Sequence, residues 1–246
     1  MDTPNRDHAI EALASRDYLE AGNYYMRSAY ARLSGESERG RDLFTSEGGN
    51  WSGYALESVL LATVCSQITG NESRARGRAG QGILIASDLR DSVLSQLGLQ
   101  AGCEEWVGLF RAVTQKSERA SAAFERAETR YGSVESSEKV ELTTEPLLQA
   151  SERALRQISR PDDFQWDDMH GSAPSNALSR RIQFIRSRVP AFMKSRLNAG
   201  HLHAPRGSTE YGNEKFRCPD CGSHDINYVA DTVLCLRCDT PTNRID

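Results

Sequence analysis

Two Cys-x-x-Cys pairs near the C-terminus constrain the fold of this chain more than any other feature: Cys218-Pro219-Asp220-Cys221 and Cys235-Leu236-Arg237-Cys238. Thirteen residues separate Cys221 from Cys235, enough for a short hairpin that returns the second pair to the first. Four thiolates so spaced can converge on one tetrahedral zinc at about 2.3 Å each. Residues 215–246 are too few to bury the apolar area that independent folding needs, so the metal would supply much of the folding free energy. Four sulfur ligands leave no open coordination position, and the expected zinc is therefore structural, not catalytic.

The residues around the pairs agree. Gly222 follows the first pair, where a knuckle needs a residue tolerant of positive φ. Asp239 holds the matching place after the second pair and tolerates such a turn less well. Residues 225–229 and 232–234 read as two strands joined at Ala230-Asp231. No βαβ pattern surrounds either pair, which argues against a redox dithiol. Together these residues resemble a zinc ribbon. The resemblance leaves function open, because zinc ribbons serve nucleic-acid binding, protein docking and plain stabilisation alike.

Upstream, the apolar residues recur at helical spacing. Residues 7–33 read as one helix. Residues 51–68 read as a second, apolar on so much of its circumference that it must be buried in a bundle. Gly70 closes it, and Asn71 is the expected N-cap of a third helix to about Asp88. Helical spacing continues over 91–97, 104–113, 117–131 and 145–158. Residues 35–49 and 132–144 are polar connectors. Residues 162–174 are acidic, contain Phe164, Trp166 and Met169, and lack a helical pattern. Such a strip can dock on a hydrophobic groove, here most simply one on the chain's own helices. Residues 175–197 form the last long helix, kinked or interrupted at Pro190, and 200–213 read as a linker.

Three of these helices carry small residues around one large one: Ala120-x3-Phe124-x2-Ala127, with Gly108 upstream, then Ala79-x3-Ile83-x2-Ala86 and Ala21-x3-Tyr25-x2-Ser28. Small residues let antiparallel helices approach while the large one fills the groove. The pattern resembles tetratricopeptide helical hairpins, although the period is irregular and the family's Trp and Pro positions are missing. The expected fold is mainly α: antiparallel helical hairpins over 1–158, a helical extension and linker over 159–214, and a small β zinc ribbon over 215–246.

The chain carries 30 basic and 34 acidic residues, a net charge of -4. From Ser175 onward, 11 basic residues face 7 acidic ones, so an acidic body carries a mildly basic C-terminal part. No apolar run reaches the roughly 18 residues of a membrane span, and the N-terminus lacks a signal-peptide pattern. A cytoplasmic protein with reduced thiols is expected, with no membrane partner.

Other candidate motifs carry less. Cys65 lies on an apolar helix face as a core residue, and Cys103, placed at a helix start beside Glu104 and Glu105, should have a raised pKa. Gly77-Arg78-Ala79-Gly80-Gln81-Gly82 has no preceding strand and no Lys-Ser/Thr, so it is no phosphate loop; its small residues suit close helix approach. His201 and His203 read as part of a solvated linker. Arg180, Arg181, Arg186, Arg188, Lys194 and Arg196 cluster on the last helix. They suit either a solvated charged face or contacts to phosphates. No nucleophile–base pair or open metal site appears, so the chain is expected to be no enzyme. The leading expectation is an adaptor that binds a protein partner through its helical body and ribbon. The alternative is a nucleic-acid-binding regulator using the basic helix, residues 175–197, and the zinc ribbon. The ribbon itself is acidic, with Arg237 and Arg244 against Asp220, Asp225, Asp231, Asp239 and Asp246, which disfavours it as the phosphate-contacting surface.

Overall fold

A helix with no polar face must be enclosed on every side, and the second predicted helix is. In the computed structural model, which describes residues 4–35, 43, 45, 48–160 and 164–245, every residue from Ala55 to Ser66 is buried. Among the described residues the α-helices are ten: α1 Pro4–Ala14, α2 Tyr18–Leu33, α3 Gly53–Ile68, α4 Glu72–Asp88, α5 Leu97–Val113, α6 Ser117–Gly132, α7 Glu138–Thr143, α8 Pro146–Ser159, α9 Trp166–His170 and α10 Ala177–Ala199. The apolar α3 is the central element, flanked by α2, α4, α5 and α8.

Local chemistry sets most of the boundaries. The single helix expected over 7–33 is two, because Arg16 takes a left-handed conformation (φ 59°) and the Asp17 carboxylate caps α2 by accepting from the Glu20 N–H at 3.0 Å. Asn71 caps α4 as expected, accepting from the Arg74 N–H at 3.0 Å, and Gly70 turns the chain before it at φ 70°. The helix expected over 91–97 is a π-helical turn at Leu89–Val93 followed by extended chain. α5 begins at Leu97, so Cys103 lies inside a helix and not at its start. The polar stretch 132–144 contains α7, and the acidic strip contains α9, whose Gln165–Asp168 capping box offsets the weak apolar pattern. Pro190 does not interrupt α10. It removes one helical hydrogen bond, but Val189 and Met193 are buried beside it and hold the helix together. The predicted break at 35–49 and the residues Pro161, Asp162 and Asp163 fall largely or wholly outside the described residues.

The small-residue pattern acts as packing chemistry demands. Phe124 of α6 lies over Gly108 of α5 so closely that a Cβ on Gly108 would sit 2.3 Å from its ring, and Phe110 covers Gly82 of α4 at 2.2 Å in the same sense. Gly77 and Gly80, by contrast, meet nothing within 4 Å, so only Gly82 of that glycine run serves close approach.

The C-terminal module has five short strands: β1 Ser208–Glu210, β2 Phe216–Arg217, β3 Ile226–Val229, β4 Thr232–Cys235 and β5 Asn243–Arg244. The expected hairpin is β3–β4, in register from Ile226 opposite Cys235 to Val229 opposite Thr232. Ala230 and Asp231 both take positive φ (50° and 54°), the conformation that a tight two-residue hairpin turn requires. β1 adds to β3 on the other side, antiparallel, while β2 pairs with β5.

β1 belongs to the stretch read as a linker, and that reading is corrected. Leu202 joins the main helical core, and Ala204 packs with Ile10 of α1 and Leu234 of β4 in a second apolar cluster. The segment is thus a packed seam between body and ribbon. Apolar residues spaced too sparsely for helix or strand gave it no periodic pattern to read.

Candidate metal centre and the clamp behind it

The hairpin brings the four cysteines together. Cys218 Sγ lies 3.5 Å from Cys238 Sγ, Cys221 Sγ lies 3.5 Å from Cys235 Sγ and 3.8 Å from Cys238 Sγ, and all four fall within 4.8 Å of one another. A tetrahedral zinc with four sulfurs at about 2.3 Å requires sulfur–sulfur edges of about 3.8 Å, so the donor set and its spacing fit that ion. Cys218 and Cys235 are buried, and Cys221 is exposed. Backbone N–H groups point at the sulfurs from Cys221 to Cys218 (3.5 Å) and from Arg237 to Cys235 (3.4 Å). Such donors favour thiolate over thiol. Burial acts in the opposite direction on Cys235 and raises its pKa.

The two knuckles have matching backbones. Gly222 (φ 71°) donates to the Cys218 carbonyl at 3.0 Å, and Asp239 (φ 60°) donates to the Cys235 carbonyl at 3.0 Å. The Asp239 side chain has a second task. It is 2% exposed. It accepts from His203 Nδ1 at 2.5 Å, lies 3.3 Å from His201 Nε2, and sits 3.4 Å from the Arg160 guanidinium. Burial alone would raise the carboxyl's pKa. The bonds from His201 and His203 and the charge of Arg160 outweigh it and hold the group at about 2.

Arg160, at the end of α8, also donates to the Leu236 carbonyl inside the second Cys-x-x-Cys loop (2.7 Å) and to the Ala204 carbonyl. The buried Gln157 amide donates to the His203 carbonyl (2.8 Å) and to Tyr25 Oη (3.2 Å), so the clamp reaches the first hairpin of the body. His201 and His203 are therefore not solvated linker residues. Their carboxylate partner lies 36 residues away from His203, beyond any local pattern. The one clue was Asp239 itself, a carboxylate where glycine suits the backbone better.

His201, His203 and Asp239 also resemble a metal triad, but the geometry favours hydrogen bonds. Two ligands held tetrahedrally at about 2.1 Å would stand about 3.4 Å apart, whereas His203 Nδ1 and the carboxylate oxygen are 2.5 Å apart. The Arg160 cation beside the same carboxylate opposes a second positive ion.

The basic helix divides in two. Arg180, Arg186, Arg188 and Lys194 are exposed, but Arg181 and Arg196 are buried. Arg181 donates to both carboxylate oxygens of Glu105 (2.9 and 3.0 Å), to the Leu148 carbonyl (2.8 Å) and to Ser151 Oγ (2.6 Å), and it faces His170 Nε2 at 3.0 Å. Tyr131 and Ser151 complete the shell of Glu105. Arg181 thus ties α10 to α5 and α8 and is withdrawn from the predicted phosphate-binding set, as is Arg196. Their positions on the face shared with Ile182, Ile185, Val189 and Met193 explain this, since that face is the one buried. His170, buried beside the Arg181 charge, has its pKa pushed down to about 4.

Cys65 and Cys103 are fully buried, and burial lifts both thiols to about 12, so neither is a nucleophile at neutral pH. The aromatic strip also folds back on the chain: Phe164 packs against Phe184 at 4.8 Å and Phe192 at 6.4 Å. Among the described residues, no helix is long and apolar enough to cross a membrane. No protein-family profile, curated protein or solved structure matches this chain.

Proposed function

We propose that this chain is a non-enzymatic scaffold: a body of tetratricopeptide-like helical hairpins, with a ribbon fixed to it by one structural zinc, offering surfaces to a protein partner in the cytoplasm. The observation that carries the reading is the joining of a closed four-sulfur site to a clamp of buried body residues. Cys218, Cys221, Cys235 and Cys238 would hold the ion, and the ion would contribute folding free energy to the ribbon. With all four positions filled by thiolates, no water or substrate could be activated there. Both remaining cysteines are buried thiols, and the Arg181–Glu105 and Arg160–Asp239 charge pairs face inward. These features support binding over chemistry.

Elemental analysis of the purified chain tests the metal, with about one zinc per chain expected and its absence fatal to the assignment. Quantitative co-purification from native extract tests the scaffold, and a monomer that retains no protein partner would count against it.

A second reading, nucleic-acid regulation, draws on one feature. Helix α10 contains no acidic residue, and Arg180, Arg186, Arg188 and Lys194 lie on its solvent side. Phosphate contacts would make affinity fall steeply with salt. The loss of Arg181 and Arg196 to the interior and the acidic ribbon place this reading second.

A further inference from the structure

Between the C-terminal half of α10 and the α5–α6 hairpin runs a groove of about 700 Å³, within the range of roughly 300–1,000 Å³ typical of binding clefts. Its floor is apolar, with Phe124 and Met193 buried beneath and Ala112, Ala120 and Leu197 beside them, while Gln115, Ser117, Ser121 and Asn198 also line it. The alanines explain why the trough exists. They are too short to reach α10 at the point where larger side chains would have closed the gap. Arg186 and Lys194, both exposed, stand on the rim, and no carboxylate lines the groove among the described residues. The nearest carboxylate partner is Glu125, which accepts from Arg186 at 3.2 Å with both groups exposed. Such a surface pair contributes little, about 0–1 kcal/mol, so an incoming carboxylate can replace it.

We propose that this groove receives an amphipathic helix from a protein partner, with apolar residues at i, i+3, i+4 and i+7 in the trough and acidic residues against Arg186 and Lys194. Apolar depth favours this occupant over nucleic acid, which would use the cations but leave the trough empty. The inference rests on the scaffold reading and names the kind of partner and its seat.

The test uses the full zinc-loaded chain and fluorescence anisotropy with three labelled probes: an 18-residue Leu/Glu amphipathic helix, the same peptide with every Glu replaced by Lys, and a 20-base-pair RNA duplex. The acidic peptide should bind and the basic one should not. Arg186→Glu/Lys194→Glu should weaken the acidic peptide about tenfold. Ala112→Trp, at a half-buried wall position, should abolish binding by filling the trough. Each variant is first required to retain wild-type zinc content and melting temperature; should Ala112→Trp fail, Leu197→Glu replaces it. Equal binding of both peptides, or acidic-peptide binding unmoved by the trough variants, overturns the proposal. So does tight, salt-sensitive binding of the duplex with none of the acidic peptide. A protein partner captured equally well by wild type and Ala112→Trp would sink the groove while leaving the scaffold standing.

Discussion

Arg180 and Arg181 are chain neighbours with opposite environments, and replacing each by methionine should show it. Arg181 is fully buried, and its carboxylate partner Glu105 is 1% exposed. Removing the guanidinium strands that carboxylate with only the Tyr131 and Ser151 hydroxyls as donors (3.2 and 2.7 Å) and takes one donor away from the Leu148 carbonyl. Breaking a buried pair from one side costs about 3–5 kcal/mol. In a chain of this size each kcal/mol moves the melting temperature by about 2–4 °C, so Arg181→Met should lower it by about 10 °C. Arg180→Met should stay within about 0.5 kcal/mol of wild type. Adding Glu105→Gln to Arg181→Met neutralises the stranded charge and should restore about 2 kcal/mol, the coupling that a double-mutant cycle isolates. Urea unfolding of the zinc-saturated chain followed by circular dichroism provides the measurement. A loss below about 1 kcal/mol for Arg181→Met, or no recovery in the double variant, would refute the placement of Arg181 and return it to the surface set.

Three further outcomes follow from the same contacts. Asp239→Gly suits the φ of 60° at that position but deletes the carboxylate. It should keep one zinc per chain while hydrogen exchange rises across residues 200–210 and in α1, and unchanged protection there would refute the clamp. Because the folded-state pKa of His170 (about 4) lies below its ordinary value of 6.5, its contribution is complete above about pH 6.5. It is lost as pH falls toward 4, by up to about 3 kcal/mol. His170→Gln should flatten that part of the stability–pH curve relative to wild type, and parallel curves would show that His170 does not titrate in this way. Finally, Gly108→Ala places a Cβ 2.3 Å from the Phe124 ring and should cost about 1–3 kcal/mol. Gly80→Ala, in open space on a helix, should gain about 0.5–1 kcal/mol; thermal melts of the two variants should shift in opposite directions.

What could be read from the sequence was whatever a local pattern encodes. Two Cys-x-x-Cys pairs sufficed for the convergence of the four cysteines and their hairpin, and helical spacing sufficed for most of the bundle, down to the Asn71 cap and the Gly108–Phe124 contact. What failed was set by tertiary partners. A left-handed Arg16 split a helix whose apolar spacing ran straight through. Arg181 looked like a surface cation because nothing local announces Glu105, 76 residues away. His201 and His203 looked solvated because Asp239 and Arg160 reach them only in the folded chain. The charge count of a helix shows how many cations it carries; only its buried face decides which of them meet water.

That same distinction changes what the ribbon is for. A module on a flexible tether would leave the stability of the body indifferent to metal. Here Asp239, the residue after the last cysteine, is held by two histidines of the seam and by Arg160 at the end of α8, and that arginine also grips the carbonyl of Leu236 between Cys235 and Cys238. The knuckle can present both groups only in the turn that its paired cysteines impose. Metal binding and docking then draw on one conformation, and each must stabilise the other by the same free energy. Loss of zinc should consequently loosen α1 and the seam together with the ribbon, while α3, enclosed by helices on every side, stays protected.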